Sequence, residues 1–460
     1  MKKCIRGLVR GRNVSRAVLV VALFYASVSN VFADEQLRTY EYPLADMRAN
    51  AGTYPSMYQS LRYSVDFYYL AHNTFADEYV FDKWQHASAF KRTWPIYLFD
   101  LLSLWTPLGV SWMHEEWHRA ALSKYGVGSR NGVYDWPLFA EVISVDNVDD
   151  ARLATLKAEH PVALVRAHAA GIESQYEMNL LFEKNAFFYN HRAGTQLIMW
   201  VNYANNISYL WGCGAGGNSA RLTSTAQREE GTNVATRDFT GMDCDAWVYD
   251  LFRPYEPYAS RGAHPSGVGV DRYRDYGDLT AEEKKYVDLQ FKLSFINLVD
   301  PAFWGKKEFR DDTLRWNFSL RHHLAPFGYN LGMNVFAKYN QQKVFATVNW
   351  YSNKHGGMPG VDMEILRLPV NIFEQTSHVS ARASAWYQPQ GLLFDQTRWR
   401  PGGLLSFRLD VPLTTHLELT GEVYAKTTGW VPGLETLERD YGARVGIQWV
   451  TTTDARAITR

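Results

Sequence analysis

The sequence predicts an α+β chain of more than one domain: a mainly α-helical domain followed by an eight-stranded antiparallel β-barrel. Three observations lead there. The chain has 460 residues, which is room for two or three domains. Between residues 91 and 305 the apolar residues fall in long runs or at helical spacing. From Leu314 onward they alternate with polar residues at a period of two.

The elements follow in order. Lys2, Lys3, Arg6, Arg10, Arg12 and Arg16 precede an apolar stretch from Ala17 to Val28, and Val31-Phe32-Ala33 places small residues where a signal peptidase cuts. Residues 1–33 are therefore expected to be a signal peptide, with Asp34 the first residue after cleavage. Residues 34–90 are aromatic and mixed, and Tyr58–Tyr69 reads equally as strand or helix. The apolar stretch Trp94–Met113 is broken by Asp100 and Pro107 and reads as two buried or membrane-adjacent helices. Asp149 and Asp150 suit the cap of a helix beginning near Ala151. Pro161 suits the first turn of another, running from Val162 to about Phe182. Gln196–Trp211 contains Asn202, Asn205 and Asn206, which favours a core helix over a lipid-facing one. Residues 213–280 read as an irregular insertion, and Ala281–Val299 as a helix.

The alternating segments are Leu314–Arg321, Tyr329–Val335, Val344–Tyr351, Val361–Leu368, His378–Trp386, Leu405–Val411, His416–Tyr424 and Ala443–Trp449. One face is apolar. The other carries Arg315, Arg321, Arg382, Arg408 and Arg444 together with Glu364, Asp410, Glu418 and Glu422. A small barrel over 306–450, closed around paired charges with its apolar face in lipid, accounts for both sets. The strands resemble the C-terminal barrels of bacterial outer-membrane proteins. A polar tail, 451–460, follows where such barrels often end on an aromatic residue.

Composition narrows the setting. Six of the 48 basic residues and none of the 48 acidic ones lie in residues 1–33, so the remainder is acidic by six. No basic surface for nucleic acid is indicated. Aromatic residues make up 15% of the chain, and Tyr and Trp favour the boundary between water and lipid. Cys213 and Cys244 bracket a polar segment, the arrangement of a disulfide that staples the insertion 213–244 in an oxidising compartment.

The chemistry resides in His114-Glu115-Glu116-Trp117-His118. On a helix, residues four apart share a face, so His114 and His118 can point at one ion. Glu115 then sits beside that ion, within reach of a water whose proton it can take. The stretch from His114 to Val127 resembles the zincin metallopeptidases, and its Lys124-Tyr125-Gly126-Val127 ending is similar to that after HExxH in site-2-type membrane peptidases. The metzincin extension is absent, since Ala121 and Lys124 occupy its Gly and His positions.

The resemblance implies zinc and a third ligand. In the gluzincin pattern this is Glu173, within Ala169-Ala170-Gly171-Ile172-Glu173, with Glu177 orienting a ligand histidine; the usual residue at that second place is Asp. Two rivals remain open. His168 lies about 140° round the same helix from Glu173, and Asp300 of Asn297–Pro301 weakly resembles the Asp ligand segment of site-2 peptidases. Tyr176, His160, His168 and Arg166 are unranked candidates for stabilising a transition state. No phosphate-binding loop, dinucleotide fingerprint or nucleophile elbow is present.

The expectation is a zinc metallohydrolase acting on protein or peptide, its helical domain over 91–305 facing the periplasm beneath a barrel in the outer membrane. Two alternatives stay open: an intramembrane site-2-type peptidase, and a non-enzymatic barrel with a structural metal.

Overall fold

The computed structural model describes residues 38–453 apart from 49–54, 74, 76–79, 81–83, 85–86, 104–107, 135–143, 192–195, 340–341 and 373–374. The expected signal segment 1–33, Pro107 and residues 454–460 of the tail lie outside the described residues. The architecture is α+β, with nine helices among the described residues and a ten-stranded antiparallel sheet.

The helical part begins with α1 (Met57–Asn73) and α2 (Ala89–Ser103). The residues left open between strand and helix are thus helical. Asp100, which interrupts the apolar stretch, is buried and accepts hydrogen bonds from Tyr68 Oη at 3.0 Å and from His72 Nδ1 at 2.7 Å. Next come α3 (Val110–Ser123), the short strands β2 (Arg130–Asn131) and β3 (Val145–Asp146), and α4 (Asp150–Glu159). As expected, Asp149 caps α4 through the Ala151 N–H.

The central helix is α5, Pro161–Phe188, buried along nearly its whole length, with apolar and small residues interrupted by the buried polar groups Arg166, His168, Glu173, Asn179 and Glu183. It runs longer than its sequence pattern indicates because its C-terminal half lies against the sheet: Phe187 and Phe188 pack on Phe336 and Phe345. α6 (Gln196–Cys213), α7 (Ser219–Glu230), α8 (Asp243–Phe252) and α9 (Ala281–Ser294) complete the helices. The expected irregular insertion therefore holds two helices. It is held by the Cys213–Cys244 disulfide, with 6.2 Å between the two Cα atoms.

The sheet begins near the N-terminus. β1 (Arg38–Arg48) pairs with β12 (Asp440–Thr453), and the order continues through β11 (Leu417–Lys426), β10 (Trp399–Pro412), β9 (Gln375–Pro389), β8 (Gly356–Ile372), β7 (Gln342–Asn353), β6 (Gly328–Tyr339) and β5 (Leu314–Ala325) to β4 (Phe309–Arg310). All eight alternating segments coincide with β5–β12. Two expectations change. Among the described residues the sheet is open and ten-stranded, not a closed eight-stranded barrel. Thr451–Thr453 also belong to β12, where they pair with Arg38–Tyr40. The concave side is occupied by helix: β1's edge meets the end of α5 through Thr39 N–H donating to Tyr189 O. Period-two patterning reveals which face a residue takes, but not whether the two edge strands meet.

The two faces of the sheet separate by polarity. Inward, Arg321 pairs with Glu183 of α5, Arg382 with Asp362, Arg408 with Asp410, and Arg367 with Glu418. A cavity of about 260 Å³ between α1, α5 and the sheet is lined by Arg62, Glu177, Arg367, Arg382, Arg408 and Arg444. Outward, Met333, Val348 and Val361 stand in one cross-strand row and Phe407 and Val423 in another, all exposed.

Helices and sheet share their cores. Tyr176 and Trp247 cluster with Leu324 and Phe394, and Trp247 Nε1 donates to Ala325 O. Trp430, fully buried between β11 and β12, donates to Glu173 of α5. Trp430→Ala should therefore cost about 3–5 kcal/mol, and both parts should unfold together at lower denaturant. Circular dichroism and tryptophan fluorescence followed in detergent should show one shared transition. A helical transition left unmoved would establish two independent units.

Candidate metal centre

The HExxH segment lies in the middle of α3, whose apolar face buries Trp112, Met113 and Trp117. α3 crosses α5 at Gly171, and the crossing is close. A Cβ at position 171 would stand 2.3 Å from Nε2 of both His114 and His118. Any side chain there would displace the imidazoles, so glycine is what lets the two helices meet. His118 Nδ1 donates to Ala167 O at 2.6 Å, and the Gly171 backbone hydrogen-bonds His114. With Nδ1 of His118 engaged, its Nε2 lone pair is free to ligate.

The third group is Asp243, the first residue of α8. Its Oδ2 lies 3.3 Å from Nε2 of His114 and 3.3 Å from Nε2 of His118. The three residues form a group able to hold a metal ion. Ligand atoms bonded to one tetrahedral ion at about 2.0–2.1 Å stand about 3.3–3.4 Å apart, so both distances fit. Asp243 Oδ2 is buried against these two imidazole nitrogens, and a cation held between the three would satisfy all of them.

Local backbone aims Asp243. Gly241, at φ +75°, turns the chain into α8, and its N–H donates to Asp238 at 3.0 Å. The ring of Tyr273 closes on Gly241 so tightly that a Cβ would approach to 2.7 Å. Tyr209 Oη of α6 accepts the Asp243 N–H at 3.2 Å.

The two glutamates of the motif differ. Glu116 accepts from Arg119 at 2.6 Å and from Asn131 of β2 at 2.9 Å, which fastens α3 to the small sheet. Glu115 faces the charged group. Burial pushes its pKa up to about 8; His118 opposes the rise, while Asp238 and Asp243 add to it. Asp238 is pushed up to about 7 by burial and by Asp243. Burial disfavours the charged form of His118, yet Asp243 and Glu115 carry it up to about 9. Against burial, the two imidazoles hold Asp243 well below the usual carboxylate range. Carboxylates thus crowd a small volume that a cation would stabilise. No family model, curated protein or solved structure matches this chain.

Of the expected residues, His114, Glu115 and His118 come together on α3. Glu173 does not join them. It is buried on another face of α5, paired with Arg166 at 2.8 Å, and it accepts from Gly433 N–H at 2.9 Å and Trp430 Nε1 at 3.3 Å. Glu177 stands 3.3 Å from His323 of β5, not beside a ligand histidine. His168 is held by Thr240 at 2.7 Å and Asp250 at 2.9 Å. Asp300 accepts from Tyr203 at 3.1 Å and from Ala302 N–H at 2.8 Å. Tyr176, His160 and Arg166 also engage elsewhere, with His323, Tyr125 and Glu173. Sequence reading missed Asp243 because it took 213–280 as irregular; the adjoining Cys244 was the available signal.

Zinc content per folded chain tests this arrangement. Asp243→Ala should hold zinc weakly and at reduced occupancy and Gly171→Ala should lose it, whereas Glu173→Ala should keep it while losing stability. A folded Glu173→Ala chain without metal, beside an Asp243→Ala chain that retains it, would reinstate the gluzincin-like ligand set.

Proposed function

We propose that this chain is a zinc-dependent hydrolase, a metallopeptidase anchored in a bacterial outer membrane with its active site towards the periplasm. The observation that carries the reading is the convergence of two imidazole nitrogens and one carboxylate oxygen, with Glu115 near enough to interact electrostatically with His118 and Asp243. That donor set and spacing suit zinc, and three protein ligands leave a fourth position for water or substrate. When bound, zinc supplies a Lewis acid that polarises the substrate carbonyl and makes water acidic near neutral pH.

The chain's own residues do the rest. His118 is locked by Ala167 O, so its ring cannot turn from the site. Glu115 takes the proton of the attacking water and returns it to the leaving amine. Asp243 sets the charge of the site and offsets part of the cation's.

Membrane anchoring rests on the polarity of the sheet. Val348 and Phe407 are 52% and 54% exposed on its outer face, while arginines and carboxylates line its concave face. Water on the outer side leaves that apolar area unexplained; lipid explains both faces. On α2, Trp94, Leu98, Leu101 and Leu102 add an exposed apolar stripe at helical spacing. The site-2-type alternative has less support: Asp300 lies with Tyr203, and no described helix is long and apolar enough to cross a membrane. The structural-metal alternative calls for a fourth protein ligand, and the group among the described residues has three.

Glu115→Gln should retain zinc and lose about 10²–10⁴-fold in hydrolysis of an unfolded protein such as casein. Undiminished turnover would remove the enzyme reading. Phe407→Lys should cost about 2–4 kcal/mol in a bilayer and deplete the chain from outer-membrane fractions. Unchanged membrane recovery and stability would argue for an aqueous outer face.

A further inference from the structure

α6 meets the start of α8 at one place, and that place is the metal ligand. Tyr209 and Cys213 stand one turn apart on α6 and so share a face. Tyr209 Oη accepts the backbone N–H of Asp243, and Cys213 is bonded to Cys244, the next residue. Asp243 is the first residue of α8, where a backbone N–H has no helical acceptor and the end is prone to fray. The phenol supplies the missing acceptor, and the disulfide fixes the following Cα. On the other side, the positive-φ turn at Gly241, held by Asp238 and the Tyr273 ring, leads the chain into α8.

We propose that the Tyr209–Asp243 hydrogen bond and the Cys213–Cys244 disulfide form a clamp that positions Asp243 for the ion, so that the zinc site is completed only after the disulfide has formed. This rests on the zinc reading above and adds a condition to it. Oxidation of the two thiols releases two protons and two electrons to the disulfide of a thiol–disulfide oxidant, which leaves as a dithiol. Before that step the histidine pair is present without its third ligand held, and the hydrolase is latent. Activity is then confined to an oxidising compartment. Both cysteines are fully buried, so once formed the bond is shielded from reductant. Tyr209 is a positioning residue here, acting through Asp243.

The test uses the full chain purified in detergent and measures the zinc dissociation constant by competition with a chromogenic chelator, beside the thermal midpoint of the metal-free protein. Cys213→Ala/Cys244→Ala and Tyr209→Phe should each weaken zinc binding, about 10–100-fold, as expected of groups that orient a ligand. In an Asp243→Ala background neither change should weaken the residual affinity further, because the clamp acts only through that carboxylate. A cysteine variant with a lower midpoint but a wild-type dissociation constant overturns the proposal, leaving the disulfide a general staple. If that variant fails to fold, Tyr209→Phe decides alone, and unchanged affinity overturns the clamp. Equal losses with and without Asp243 also overturn it. A wild-type chain that binds no zinc removes the metal reading and this one with it.

Discussion

Everything at the centre of this protein depends on how closely α3 and α5 approach at Gly171. The absence of a side chain there brings two histidine rings against a helix backbone, and that backbone holds them. α5 then continues past the site into the concavity of the sheet, where its Glu183, Lys184, Phe187 and Phe188 meet β5, β7 and β8. One helix thus carries the wall of the candidate metal centre at one end and packs against the sheet at the other.

Electrostatics divides the molecule in the same way. Around His114 and His118 three carboxylates, the half-buried Glu115 and Asp238 and the buried Asp243, repel one another, which is costly unless positive charge is added. Three other buried carboxylates have cationic partners: Glu173 has Arg166, Asp250 has Lys157 and Arg261, and Glu183 has Arg321. In these three an ion pair meets the charge, whereas at the candidate site a carboxylate faces two imidazoles. Glu173 and Asp243 are both buried carboxylates close to α5, yet one is neutralised by arginine and the other faces two imidazoles.

Local patterns in the sequence were readable where local physics sets them. The period-two segments all became strands, the Asp149 cap and Pro161 start fell as their chemistry requires, and the HExxH spacing put two histidines on one face. Long-range pairing was not readable. β1 joins a strand some 400 residues away in sequence, and nothing within Arg38–Arg48 encodes that partner. Period two also does not say whether a sheet closes, because closure depends on what fills its concave side. Glu173 was a reasonable choice of ligand by helical proximity. It was pre-empted by Arg166, two turns earlier on the same helix, and by the loop that brings Trp430. Asp243 was hidden because Gly, Ser, Thr and Asn in 213–242 suggest a loop, whereas Cys244 pins the start of a real helix.

The central claim is that His114, His118 and Asp243 bind one zinc ion and leave one position open. X-ray absorption at the zinc edge on the purified full chain tests it most directly. The account predicts one zinc per chain with two imidazole nitrogens at about 2.0–2.1 Å and two oxygens at about 2.0–2.2 Å, one of these lost on Asp243→Ala. A site closed by four protein ligands, a sulfur ligand, or a spectrum unchanged by Asp243→Ala would contradict it.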